Sequence, residues 1–391
     1  MKVAVSTIGK FHLFDLARQL HRRSWLAGIY TGYPRRKLLR ENLPESLIHP
    51  LPLARLPYLG LHRLGLGGGG LLHFLEDISL KVHDGRVAHL LRPCDVFVGL
   101  SGHNTSAGRR ARRLGAKWIC DRGSTHIVHQ QESLAEEHRR WGLVFGGVSR
   151  HALQHELEEY AEADYITVPS RFVADTFIAR GVAPEKIRRI PYGVDLSHFS
   201  PVAEPNPGEL NILFVGQVTL RKGVPYLIEA YRQIKHPRKS LTVIGRVDPA
   251  FSQWLKRVAD AGVRFLGPLP QSRLKEHFSR SHVFVLPSIE EGLALVQAQA
   301  LACGCPIVCT PNTGGGDIIE DGRSGFVVAA RDPEALAERI EMFAELKVAA
   351  PMRQAALEAA RMMGGWDTYG ETWAKFIGEI CHEGGRPWVS S

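Results

Sequence analysis

The chain has 391 residues, 44% of them apolar and 23% charged, which is enough for two domains of ordinary size and excludes a disordered or fibrous protein. No apolar run reaches the length of a membrane-spanning helix; the greasiest stretch, Leu51 to Leu80, is broken by Arg55, His62, Arg63 and His73. The net charge of +9 lies wholly in the first 200 residues, and residues 1–120 alone carry 19 Lys and Arg against 7 Asp and Glu, so this part should meet an anionic partner: a membrane surface, a lipid diphosphate or nucleic acid.

The opening, MKVAVSTIGK, lacks a secretory-signal pattern, because its apolar run ends at Gly9 and Lys10. KVAVST reads as a buried strand, and HLFDLARQLHRR as an amphipathic helix with Leu13, Leu16, Ala17 and Leu20 on one face. LAGIYT, DVFVGLS, AKWICD and DYITVPS follow as strands, with TSAGRRARRLG, ESLAEEHRRWG and SRFVADTFIARG as helices. Between Leu43 and Leu80, leucine-rich pieces alternate with proline and glycine, including Gly67 to Gly70. An acceptor loop, a membrane-contacting loop and an irregular crossover all fit that segment. The arginines of Thr105 to Gly115 read as a solvated helix face.

PVAEPNPGEL (Pro201 to Leu210) reads as a linker. After it the alternation restarts: NILFVG, VPYLIEAYRQI, SLTVIG, FSQWLKRVAD, VRFLG, SRLKEHFSR, HVFVLPS, ALVQAQALACG, CPIVCT and GFVV. Cys303, Cys305 and Cys309 fall at an apolar helix end and the strand after it; with no CxxC pair they read as small buried hydrophobes rather than zinc ligands. The free thiols fit a reducing cytoplasm. WDTYGETWAKFIGEI ends the pattern as a helix whose Trp366, Tyr369 and Trp373 should pack on the first domain. The expected architecture is α/β, with two Rossmann-like domains facing across a cleft, 1–200 and 201–365, and a helix at about 366–391 returning to the first.

Several spaced motifs carry a family resemblance, almost unbroken from Asp164 to Val328. PSIEEGLALVQAQALACGCPIV and TGGGDIIEDGRSGFVV resemble the donor-binding signature of the retaining family 4 glycosyltransferases (glycosyl transferases group 1), which have the GT-B fold. FVGQVTLRKGVPYLIEAY resembles their phosphate-binding strand, loop and helix, and VPSRFVADTFIARGVAPEKIRRIPYGVDLSHFSP their interdomain crossing. Nearer the N-terminus the likeness is limited to the first strand, a glycine loop at Gly9 and HLFDLARQL.

The resemblance implies a nucleotide-sugar donor, with Gly9, Gly216, Gln217, Arg221, Lys222, Gly292, Leu293 and Gln299 on the donor side and Glu291 on the sugar hydroxyls. No two aspartates are separated by a single residue, so no Asp-x-Asp metal site exists, and the diphosphate must be neutralised by amides and cations instead. The sequence departs from the family at Gln217, usually arginine, and at Gln299, usually a glutamate on the ribose diol; Arg221 can replace the first cation. The loop after AKWICD offers Asp121, Arg122 and His126 for the sugar or acceptor side by position, and a salt-bridged loop is the alternative. Asp121 and His126 join Glu291 as catalytic candidates, while Arg122 and His12 are acceptor candidates.

The implied activity is metal-independent, retaining transfer by front-face attack, in which the leaving phosphate takes the acceptor proton, onto a glycan or lipid-linked acceptor. No cofactor is expected. An epimerase-like or non-catalytic nucleotide-sugar binding protein is the alternative. Nucleic acid is not expected, since no recognition motif or aromatic platform accompanies the charge. A cytoplasmic protein, peripheral at the inner membrane face, fits the basic first 120 residues.

Overall fold

A computed structural model describes residues 1–52, 69–258 and 262–382. The first sheet contains β1 (Val3–Thr7), β2 (Leu26–Thr31), β3 (Ile48–Pro50), β4 (Val96–Leu100), β5 (Lys117–Asp121), β6 (Tyr165–Val168) and β7 (Ile187–Arg189). The second contains β8 (Leu210–Val215), β9 (Lys239–Ile244), β10 (Val263–Gly267), β11 (Val283–Leu286), β12 (Ile307–Cys309) and β13 (Gly325–Val327). Their orders are β3-β2-β1-β4-β5-β6-β7 and β10-β9-β8-β11-β12-β13. Every strand pair is parallel. Central strands such as β1 and β11 are buried at every residue, because helices cover both faces of each sheet.

The strand order reverses between β1 and β4, paired at Val5 and Val98, and between β8 and β11, paired at Leu213 and Phe284. Crossovers leave to opposite faces at such points, and a crevice opens beyond the carboxyl ends of the strands. The loops that line these crevices are 8–12 and 101–104 in the first domain, and 216–223 and 287–294 in the second.

The helix Trp366–His382 returns to the first domain. Tyr369, Trp373, Phe376, Ile377 and Ile380 are buried against Leu13, Leu16 and Leu20 of the helix Leu13–Arg22. Each such aliphatic or phenyl side chain contributes about 1.5–3 kcal/mol by leaving water, enough to hold the crossing in place. Cys303, Cys305 and Cys309 are buried in the second domain's core, where burial pushes all three thiols above their usual range.

Two parts differ from the sequence expectation. Within the segment from Leu43 to Leu80, Ile48–Pro50 forms an edge strand and a helix, Gly69–Leu90, begins inside the glycine run; residues 53–68 lie outside the described residues. The helix expected from Glu132 begins earlier and spans Ile127–Arg140, because the His126 imidazole accepts a hydrogen bond from the Val128 amide and caps it.

Candidate functional site

Lys222 and Glu291 meet because one glycine permits it. Gly223 has a left-handed φ of 68°, and a Cβ there would lie 1.8 Å from the Pro287 carbonyl oxygen. Glycine alone lets the loop after β8 turn this tightly against the chain leaving β11. The Lys222 ammonium then forms an ion pair with the Glu291 carboxylate. Both line a cavity of about 480 Å³ together with Gly216, Leu293 and Gln299, a volume in the range of small-molecule sites. The helix Leu295–Ala302 begins at its wall.

The carboxylate next door does something different. Glu290 is completely buried. One oxygen accepts hydrogen bonds from Ser124 Oγ at 2.5 Å, the Thr125 amide at 3.1 Å and Thr125 Oγ1 at 2.7 Å. The other accepts from Gln130 Nε2 at 3.1 Å and Arg221 Nε at 2.7 Å. Burial alone would raise this carboxyl's pKa, but Arg221 and the Ser124 and Thr125 donors hold it at about 2. A carboxylate of the second domain is thus solvated largely by the first.

Other contacts close the same seam. Ser170 Oγ donates to the Gly292 carbonyl at 2.7 Å, and Asp317 accepts from the Arg171 amide at 2.7 Å and pairs with Arg189 at 3.1 Å. Arg331 pairs with Glu137 at 2.8 Å, and Trp141 packs edge-on against Tyr226 and Trp254. A Cβ on Gly292 would lie 1.9 Å from the Gly123 carbonyl oxygen, so the two backbones touch.

On the first-domain side of that contact, His12 Nε2 and Asp121 Oδ2 are 2.6 Å apart, and Asp121 Oδ1 accepts from Thr167 Oγ1 at 2.8 Å. The His12 ring packs on Tyr192, with centroids 4.3 Å apart. Tyr192 and Leu293 also line a cavity of about 850 Å³ with Ile318, Ala355 and Met363. Leu293 is therefore a wall common to both cavities.

Residues 10–198 match the family described as Glycosyltransferase Family 4, and residues 198–363 that described as Glycosyl transferases group 1. The chain belongs to the family 4 glycosyltransferases. It is 30% identical to WcaL of Escherichia coli over 222 residues, and so spans about half of that relative: 52% of this chain and 55% of WcaL are matched. Two solved structures share the GT-B fold. A sucrose-phosphate synthase from Thermosynechococcus elongatus has a TM-score of 0.74 at 20% identity, covering 98% of this chain and 100% of that one. HepE of Anabaena in complex with UDP-glucose has a TM-score of 0.69 at 15% identity, covering 97% and 100%.

The residues expected from the sequence fall at several places in this glycosyltransferase. Gly216, Lys222, Glu291, Leu293 and Gln299 share one cavity, and His12 joins Asp121 at the seam rather than facing solvent. Gly292 touches the first domain instead of facing that cavity, and Arg221 is directed by Glu290. Gln217 is exposed and Gly9 is buried behind Phe11; neither is among the residues lining the cavity.

Two of the candidates after β5 are held by partners within the first domain. Arg122, expected on the acceptor side, has its guanidinium bonded to the Thr125 carbonyl at 2.9 Å, Glu156 at 2.9 Å and Gln130 at 2.9 Å, and so braces the loop from within. His126, a catalytic candidate from the sequence, stands at the end of the same loop. It caps its helix and packs between Tyr160 and Phe177, and burial, with Arg122 nearby, lowers its pKa to about 4.

That lowered value gives a testable sign. An unfolded imidazole titrates near about 6.5, so as pH falls the unfolded chain gains its proton first. The stability contributed by neutral His126 is complete above that pH and declines as pH falls toward about 4. His126→Asn keeps a cap acceptor, and it should remove this residue's share of the acid destabilisation in a melting profile while leaving sugar transfer near the wild-type rate. Loss of transfer in that variant would return His126 to the chemistry.

Glu290, Ser124, Thr125, Gln130 and Asp317 were missed from the sequence. The doublet Glu290-Glu291 was a visible signal, but nothing in it indicated which carboxylate faces the cavity.

Proposed function

We propose that this glycosyltransferase moves a sugar, with retention of configuration, from a nucleotide-sugar to a glycan or lipid-linked acceptor without a metal ion. The observation that carries this is the single cavity shared by Gly216, Lys222, Glu291, Leu293 and Gln299. The fold likeness to HepE, which was solved with UDP-glucose, supports a nucleotide-sugar as the occupant.

The donor diphosphate would take Lys222 away from Glu291, freeing the carboxylate for the sugar hydroxyls. Arg221 adds a second cation that acts as charge builds on the departing diphosphate, and Gln299 meets the ribose diol as an amide that both donates and accepts. His12 and Asp121 orient the acceptor hydroxyl from the opposite side of the seam. As the anomeric carbon–oxygen bond breaks, the acceptor oxygen attacks the same face and its proton passes to the departing phosphate oxygen. The protein's part is electrostatic stabilisation of the diphosphate and of the oxocarbenium-like sugar.

Transfer assayed in excess chelator, with the product anomer read by proton NMR, tests this reading. Full activity with the donor's anomeric configuration is expected. Activity that vanishes in chelator and returns with manganese, or an inverted product, would refute it.

Attachment at a membrane face is part of the same proposal. On the helix Gly69–Leu90, the exposed Phe74, Ile78 and Val82 form a stripe at four-residue spacing beside exposed Lys81 and Arg86. Apolar insertion flanked by cations suits an anionic leaflet, where each basic side chain contributes about 1 kcal/mol. Co-sedimentation with anionic but not neutral vesicles, reversed by salt, is expected. Equal recovery in both supernatants would favour a soluble acceptor.

A further inference from the structure

We propose that Glu290 is a positioning residue for transfer: the turn at 123–125 docks on it, and that docking sets both the direction of Arg221 and the place of Glu291 opposite Asp121. The inference rests on the transferase reading above, and it adds a group that never touches the donor.

The side chain is completely buried, with five hydrogen bonds from side chains and backbone of two domains. Ser124, Thr125 and Gln130 come from the first domain, and Arg221 from the second. A buried carboxylate is tolerated only when such donors surround it. Separating the domains removes the first-domain donors together and lets water in. Closure therefore exchanges water for fixed donors in one step, and a partly closed arrangement leaves a charge poorly solvated.

The consequence for the cavity is geometric. Arg221 Nε points at Glu290, and because the guanidinium is planar its remaining N–H groups are then fixed in direction. Glu291 is held from both chain neighbours: the Glu290 side chain is bonded by Ser124 and Thr125, and the Gly292 carbonyl accepts from Ser170 Oγ at 2.7 Å. The residue facing the sugar is thus placed by two attachments to the opposite domain. Asp121 stands three residues before Ser124 at the end of β5, so the same docking sets the distance between the two sides of the reaction.

Two variants test this from opposite domains: Glu290→Gln, and the double change Ser124→Ala with Thr125→Val. Steady-state rates with varied donor separate kcat from KM. Both variants are expected to lose about tenfold or more in kcat, with donor KM and nucleoside diphosphate affinity within about threefold of wild type. Combining all three changes should lose less than the product of the two separate losses, since the Glu290 docking is removed in both and Ser124 adds only its own contacts to Arg221 and Gln130. If Glu290→Gln does not fold, the first-domain double variant decides. Wild-type kcat in that double variant would overturn the proposal, as would a raised KM with kcat unchanged. Small-angle scattering of the same proteins measures the docking without any transfer: a larger radius of gyration is expected for the variants, and equal radii would contradict it. A compact wild type that transfers no sugar from any nucleotide-sugar would defeat the transferase reading instead.

Discussion

Replacing Gly292 by alanine is expected to reduce sugar transfer by about 10²-fold, the loss associated with misplacing reacting groups by roughly 1 Å. The new Cβ would lie 1.9 Å from the Gly123 carbonyl oxygen, and neither partner is a flexible side-chain end. Backbone must therefore shift, and the softest coordinate is the separation of the two domains across the seam. Each domain keeps its own core, so the effect should fall on transfer rather than on nucleoside diphosphate binding within the second domain. A kinetic comparison with a binding titration on the same preparation checks this. Transfer at the wild-type rate would mean that productive geometry does not need the seam closed, while loss of binding together with rate would mean that the second domain itself had been damaged.

Glu291→Ala should lower transfer at least about tenfold, because the proposed role of Glu291 gives it a charge-assisted contact of about 1.5–3 kcal/mol to the sugar. The same change takes the partner from Lys222, leaving that cation available to phosphate. Nucleoside diphosphate affinity should consequently hold or increase while the rate falls. This opposite movement separates a sugar-holding role from a structural one, since a collapsed cavity would weaken both. Transfer near the wild-type rate would remove Glu291 from the sugar.

What the sequence made legible followed from periodicity. Runs such as NILFVG and HVFVLPS became β8 and β11 because fully buried parallel strands are apolar throughout, and the cavity residues of the second domain lie in short stretches beside them. The first domain was harder. The edge strand β3 has three residues and lies within a leucine-rich segment, and the helix Gly69–Leu90 starts on glycines that ordinarily signal a turn. His126 occupies the position after β5 that the family resemblance favours, yet a position along the chain does not say where a ring points; its bond to the Val128 amide turns it into the core. Glu290 escaped notice for a related reason. Its partners Ser124 and Thr125 stand 166 and 165 residues before it and reach it only where the two domains meet.

The cavity beside Lys222 and Glu291 is the centre of the functional reading, and its occupant can be tested without knowing the acceptor. Thermal unfolding in chelator against UDP, GDP and ADP should give a saturable rise in melting temperature with the nucleoside diphosphate of the true donor. At a hundred times its dissociation constant the ligand should stabilise the fold by about 2.7 kcal/mol, and Lys222→Ala should abolish or greatly reduce the shift. No stabilisation by any of the three, or a shift undiminished in Lys222→Ala, would contradict a nucleotide-sugar site at this place.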